Sequence, residues 1–249
     1  MTTLFVSDLH LAGERPAQLE LFVAFLERVR TRAHALYILG DLFEVWLGDD
    51  DDTPPHPRIV AALAALSGHG VKLHIGRGNR DFLCGERFAA ATGATLLEDY
   101  TVIDLYGTRT LLTHGDLLCT RDVKYQRFRR VVHHPLVRRT FLSIPLAWRQ
   151  RIAHKTRSGT TASMQLKSDQ IMDVDEDTVA SVMERYAASL LIHGHTHRPA
   201  VHDYARDGCC RRRIVLGDWY EQDSVLVGDE SGQRALRVGT FLAQDRVGD

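Results

Sequence analysis

Leu4-Phe5-Val6-Ser7-Asp8-Leu9-His10 is the stretch from which the fold is read. A short apolar run ends in Asp-x-His, so a carboxylate and an imidazole leave the end of a buried strand together, a pairing suited to a hard-to-borderline divalent metal. Four later stretches share the arrangement: Gly40-Asp41, Gly78-Asn79-Arg80-Asp81, His114-Gly115-Asp116 and His193-Gly194-His195-Thr196-His197. Each follows a short run rich in Leu, Ile and Val, which places all five at the same edge of one sheet. The expectation is a site assembled from strand ends.

With 249 residues, 44% hydrophobic and 25% charged, the chain can bury a sizeable core as one domain, or as one domain with an insertion. The formal charge of -1 hides a local imbalance, because residues 121–157 hold eleven Lys or Arg and a single acid, Asp122. That stretch is a candidate anion-binding or membrane-facing surface. With a basic region this short and a pI near 6.9, nucleic acid is not the expected partner. Cys84, Cys119, Cys209 and Cys210 show no Cys-x-x-Cys spacing, which fits a reducing cytoplasm. The N-terminus lacks a basic leader pattern, and no apolar run approaches the roughly 18 to 20 residues that span a bilayer. Any membrane contact is therefore expected to be peripheral.

The periodicity of Leu19, Phe22, Val23, Phe25, Leu26 and Val29 predicts a helix over 16–30. Leu36 to Leu39 is a strand, Asp49 to Asp52 with Pro54 and Pro55 reads as a solvated acidic loop, and Ile59 to Leu66 is helical. Val71 to Ile75 is the next strand and 82–91 a helix, followed by a hairpin of 101–105 and 110–113 around Tyr106-Gly107. From Arg121 to about Tyr186 helical signals replace strand signals, an insertion between two strands that carry candidate ligands. The tail reads as a meander of four strands, 201–204, 213–216, 225–227 and 236–241. Alternating strands and helices first, and strands last, predict an α/β two-sheet sandwich with helices outside.

Phosphate-ester or anhydride hydrolysis needs an activated water and positive charge opposite the developing oxyanions, and two divalent metals about 3.5 to 4 Å apart provide both. Asp8, His10, Asp41, Asn79, His114, His195 and His197 form such a ligand set, with one carboxylate available as a bridge. A single His or Asp at a strand end is usually hydrogen-bonded structure, and His193 is read that way. Seven residues in five strand-end motifs are not explained so simply.

These motifs, in this order, resemble the calcineurin-like metallophosphoesterases, and the resemblance covers the chain outside the insertion. It implies a β-sandwich flanked by helices, one metal on Asp8, His10, Asp41 and His197, the other on Asp41, Asn79, His114 and His195, and Asp41 as the bridge. One departure narrows it. The residue after the metal-bound Asn is usually a His able to protonate an alkoxide; here it is Arg80, which cannot be a general acid but can bind phosphate bidentately. A phosphate leaving group needs no proton, so Gly78-Asn79-Arg80-Asp81 favours a pyrophosphate linkage.

The inserted stretch interleaves Arg127, Arg129, Arg130, Arg138, Arg139, Arg149, Arg151 and Lys155 with Phe128, Phe141, Leu142, Ile144, Leu146 and Trp148. That suits an anionic membrane surface or an acyl substrate as well as a cap packed on the main domain. Arg121 to Phe128, Lys167-Ser168, Ile171 to Val174 and Gly40-Asp41-Leu42-Phe43 with Trp46 and Gly48-Asp49-Asp50 resemble the UDP-2,3-diacylglucosamine hydrolase family of lipid A biosynthesis across nearly the whole chain. The resemblance implies release of UMP and 2,3-diacylglucosamine 1-phosphate, usually with manganese, by a peripheral protein of the cytoplasmic face of the inner membrane, with no obligate protein partner. It also implies catalytic roles for Asp41, Asn79, Arg80 and His114. Asn79 and Arg80 would touch the phosphates, Asp122, Lys167 and His195 the glucosamine phosphate, and Tyr125, Phe128, Arg157 and Ile171 would line a cap spanning 121–186. Thr160 stands where the family commonly has Ser, and Met164 departs from a usual polar amide. Thr160, Met164, Lys167 and Ile171 are spaced by four, three and four, which puts them on one helix face. The metal motifs alone equally permit a phosphodiesterase acting on another nucleotide. A catalytically silent interaction module would not need the complete ligand set.

Overall fold

Alternate residues of the first strand pack into different layers, and this builds the sandwich. The computed structural model of the chain describes residues 2–164, 173–206 and 209–243. In β1 (Thr3–Val6), Leu4 and Val6 pack against Phe22, Phe25 and Val29 of α1 (Pro16–Arg32), while Phe5 faces Leu112, Ile192 and Ile214 of the opposite sheet. β2 (Ala35–Leu39), β3 (Lys72–Gly76) and the short β4 (Thr95–Leu96) continue the first sheet in parallel; α2 (His56–Gly68) and α3 (Glu86–Thr92) cover the same outer face as α1. The second sheet holds β5 (Thr101–Leu105), β6 (Thr108–Leu112), β7 (Leu190–His193), β8 (Ala200–Arg206) and β9 (Cys209–Val215) in the order β5-β6-β7-β9-β8, with β6, β7 and β9 parallel. Between β6 and β7 lie α4 (Val123–Val132), α5 (Pro135–Leu142), α6 (Leu146–Met164) and α7 (Glu176–Arg185), of which α7 packs Val179 and Met183 on the second sheet's outer face.

Several readings of the sequence need correction. The five candidate motifs do not leave one sheet: three follow β1, β2 and β3, and two follow β6 and β7 of the second sheet. An apolar run reveals that a strand ends, not which sheet it joins, and the parallel strands of both sheets aim their C-terminal ends at one place. The tail is also not a single meander. β8 and β9 pair in the second sheet, whereas β10 (Ser224–Asp229) and β11 (Gly232–Arg237) extend the first beyond β1. The last apolar run turns helical as α8 (Val238–Ala243), because Val238 and Phe241, three apart, both bury against α1.

The acidic loop is not simply solvated. Asp49 accepts the backbone N–H groups of Gly85, Arg87 and Phe88 at 2.9, 3.0 and 3.0 Å, which fixes the start of α3 at Glu86 rather than at Phe82. Asp51 is buried and accepts the N–H of Thr53 at 3.2 Å beside His56. Asp50 pairs with Arg149 of α6, whose guanidinium is 1% exposed and also donates to the Leu47 and Ile144 carbonyls. Arg149 thus fastens the inserted helices to the loop that follows β2. Arg149→Ala leaves buried carbonyls without donors and is expected to lower stability by about 2 to 4 kcal/mol. Asp50→Asn, at the half-exposed end of the pair, should cost less than about 1 kcal/mol. Urea unfolding of both variants checks this; equal losses would show that Arg149 acts only through its carboxylate partner.

Candidate metal centre

The seven candidate ligands lie within four residues of the C-terminal end of β1, β2, β3, β6 or β7, and most of the turns that carry them are bent alike. Asp8, His10, Asp41, His195 and His197 have φ of 56°, 47°, 52°, 72° and 55°. Asp and His are among the side chains that tolerate this left-handed region best, yet each still costs about 1 kcal/mol or more. Backbone contacts hold the turns in place: Asp8 N–H donates to the Gly40 carbonyl at 3.1 Å, His10 N–H to that of Asp41 at 2.8 Å, and Gly194 N–H to that of His114 at 2.8 Å. Asp81 accepts the N–H groups of Gly78, Asp41 and Leu42 at 2.7, 3.3 and 2.8 Å, tying the second and third motifs together.

Two groups of donor atoms result. His10 Nε2 lies 3.4 Å from His197 Nε2 and 3.9 Å from Asp8 Oδ1, which is itself 3.3 Å from His197 Nε2. In the other group Asn79 Oδ1 sits 3.1 Å from His114 Nε2 and 3.0 Å from His195 Nδ1, and the two ring nitrogens are 3.2 Å apart. Asp41 Oδ2 stands between them, 3.6 Å from His10 Nε2 and 3.8 Å from His114 Nε2. All seven sequence candidates are therefore brought together. Burial opposes charge on Asp8, but the imidazoles of His197, His114 and His10 prevail and hold its carboxyl well below the usual range. Burial also lowers His114, yet Asp41, Asp8 and Asp116 outweigh it and raise it to about 9, while burial and His114 push His195 down to about 4.

The arrangement fits divalent cations. Asp8 Oδ1 is buried and accepts no hydrogen bond among the described residues. Carboxylate, amide and imidazole atoms crowd around common points where the side chains alone leave lone pairs facing each other. Asp8, His10 and His197 form one cluster with all ligand atoms within 4.8 Å of one another, and Asp8, Asp41 and His114 another.

A calcineurin-like phosphoesterase family model matches residues 1–199. The chain belongs to that family. Calcineurin-like phosphoesterases imply divalent metal ions, in keeping with the donor set. Over 234 residues the chain is 51% identical to the UDP-2,3-diacylglucosamine hydrolase of Aeromonas hydrophila, covering 94% of this chain and 97% of that one. It is 52% identical to the protein of the same name from Aeromonas salmonicida, over 94% and 92% of the two chains. With that from Serratia proteamaculans it shares 50% identity over 91% of this chain and 94% of the relative. Among phosphoesterases of this fold, it groups with the relatives of that name.

Of the remaining sequence candidates, Asp122 caps α4 by accepting the Tyr125 N–H at 3.1 Å, and Phe128 is exposed. Arg80 has its N–H on Asp41 Oδ1 at 2.8 Å, and its side-chain Nε is buried without a hydrogen bond among the described residues. The Tyr125 ring centroid lies 6.2 Å from that of His195, and its hydroxyl donates to Asp116 at 2.7 Å. Arg129 is buried against the same Asp116 oxygen at 2.6 Å, so this arginine and Arg149 are internal fastenings and not part of a basic surface. Lys167 and Ile171 lie outside the described residues, as do the side chains of Arg157, Thr160 and Met164. Reading the sequence missed Glu44, 3.3 Å from His10 Nδ1, Asp218, 3.5 Å from His197 Nδ1, and Tyr220, whose hydroxyl donates to Glu44 at 2.7 Å. Burial pushes Glu44 up, but His10, Tyr220 and Arg80 hold it down at about 2. Only the place of Glu44 three residues after Asp41 could have drawn attention to it.

A methyl group at Gly78 would strike the Asp41 carboxylate and backbone nitrogen. Gly78→Ala should therefore displace Asp41 and lower phosphoesterase turnover by ~100-fold. Steady-state rates against a retained circular-dichroism spectrum check this, and a rate within threefold of the parent would contradict it.

Proposed function

We propose that the chain hydrolyses the pyrophosphate of UDP-2,3-diacylglucosamine to UMP and 2,3-diacylglucosamine 1-phosphate. The observation that carries this reading is the meeting of two donor groups at Asp41 with Arg80 beside them, in a chain about half identical to relatives of that name. One ion is assigned to Asp8, His10, Asp41 and His197, the other to Asp41, Asn79, His114 and His195, with manganese the expected metal. When bound, the two ions lower the pKa of water and neutralise the charge that develops on phosphate oxygens.

The protein's own part is to orient. The unsatisfied Nε of Arg80 supports a guanidinium waiting for an anion, and Arg80 holds the pyrophosphate without needing to give up a proton, since the departing phosphate is a good leaving group. Residues 121–186 act as a cap in this reading, with Asp122, Tyr125, Phe128, Arg157, Thr160, Met164, Lys167, Ile171 and His195 toward the lipid sugar phosphate. Water then attacks the uridine-side phosphorus in line, and the lipid sugar phosphate leaves. Turnover in heavy-oxygen water should label UMP alone; label in the lipid phosphate would reverse the orientation. UDP-glucose and aryl phosphates should be cleaved far more slowly, and chelation should stop turnover until a divalent metal is restored. Equal rates on UDP-glucose would favour a general nucleotide phosphodiesterase.

Among the described residues no helix is long and apolar enough to cross a membrane. Among the described residues, eight of the ten large apolar side chains that stand exposed, including Leu136, Val137, Trp148 and Ile152, lie between 123 and 152 among basic residues. This supports peripheral contact with an anionic membrane, assigned here to the cytoplasmic face of the inner membrane. The full chain should sediment with phosphatidylglycerol vesicles and release in high salt, and Leu136→Glu with Trp148→Glu should abolish sedimentation; binding unchanged in the double variant would exclude this face.

A further inference from the structure

Glu44 has two carboxylate oxygens and they face different things. Oε2 lies 3.3 Å from His10 Nδ1, the ring nitrogen opposite the one that meets Asp8, Asp41 and His197. Oε1 lies 3.8 Å from Arg80 Nη1. Among the described residues His10 Nδ1 is buried and makes no aligned hydrogen bond, so the carboxylate beside it is the group placed to keep a proton there. With the proton on Nδ1, the lone pair of the imidazole is on Nε2, where the candidate ligands converge.

The carboxylate is itself held. Tyr220 donates its hydroxyl to Oε2 at 2.7 Å, stacks its ring on His10 with centroids 5.0 Å apart, and lies under Arg15, whose guanidinium carbon is 4.0 Å from the ring centre. Arg15 Nη1 reaches Oε2 at 4.0 Å. One short loop after β2 thus places Asp41 among the ligands and Glu44 behind them, while the partners that hold Glu44 come from the start of α1 and the segment after β9.

We infer that Glu44 is a positioning residue that sets His10 and Arg80 at once, one oxygen for each, with Tyr220 holding it in place. This deepens the proposed reaction and rests on it for the role of Arg80; the role toward His10 needs only that the site binds metal. A bare structural role would affect both readouts alike, whereas two oxygens with two tasks can be separated. Glutamine keeps a carbonyl that accepts from His10 Nδ1 but loses the charge that faces Arg80.

The test uses the full chain, chelated and then titrated with Mn2+ by calorimetry, alongside steady-state kinetics at saturating metal. Glu44→Ala should weaken one of two Mn2+ binding steps by ~10- to 100-fold and leave the other unchanged. Glu44→Gln should bind Mn2+ within about threefold of the parent and yet raise KM by ~10-fold with kcat little altered, which is the signature of lost ground-state positioning. Tyr220→Phe should weaken the same Mn2+ step as Glu44→Ala by a smaller factor. Arg80→Ala should raise KM without touching either Mn2+ step. Two intact Mn2+ steps in Glu44→Ala overturn the assignment to His10. An unchanged KM in Glu44→Gln overturns the assignment to Arg80. Should the parent bind two Mn2+ ions but fail to cleave UDP-2,3-diacylglucosamine, the proposed substrate is wrong, and the titrations still decide the role toward His10.

Discussion

Asp8 and Asp41 bring two carboxylates, almost wholly shielded from water, against the imidazoles of His10, His114 and His197. Buried charge is costly unless it is paired and hydrogen-bonded, and here an oxygen of Asp8 stands beside the imidazoles of His10 and His197 yet accepts no hydrogen bond among the described residues. Five residues of the cluster also adopt left-handed backbone angles. Local preference would not choose this geometry. It persists because the two sheets, the backbone contacts between neighbouring turns and the Asp81 carboxylate leave the turns little freedom. A cluster of this kind is what a cation relieves: the same lone pairs that crowd one another become ligands.

Much of the remaining structure serves that constraint. The core between the sheets, with Phe5, Leu39, Leu112 and Ile192, fixes the distance between strand ends that carry ligands from opposite layers. The inserted helices are then fastened to the site's own loops, at Asp116 through Tyr125 and Arg129 and at Asp50 through Arg149. An insertion tied down in this way can present a surface to a lipid while the chemistry stays on the sheets.

The fold's main frame was legible because β1, β2, β3, β6 and β7 are short apolar runs that end at Gly, Asp or His within two or three residues, and because the helix of Leu19 to Val29 has an unmistakable period. The seven clustered residues were legible for the same reason. What failed was information held in distant partners. Asp49, Asp50 and Asp51 look like a repelling block until Gly85, Arg149 and His56 are seen to divide them. Arg129 and Arg149 look like surface charge until their carboxylate partners, Asp116 and Asp50, appear and the arginines themselves prove buried. Glu44 depends on Tyr220, 176 residues away, and no local pattern marks that pair. Leu236 and Val238 keep a strand spacing while Val238 and Phe241 keep a helical one, and packing of Phe241 against Phe25 of α1 decides for the helix.

The central claim is that Asp41 joins two metal positions, and metal content tests it most directly. After chelation, reloading with Mn2+ and removal of free ion, elemental analysis of the full chain should give two Mn2+ per chain. Asp41→Ala should keep the circular-dichroism spectrum of the parent and hold less than one. Two tightly held ions in Asp41→Ala, or fewer than two in the parent at saturating Mn2+, would contradict the account.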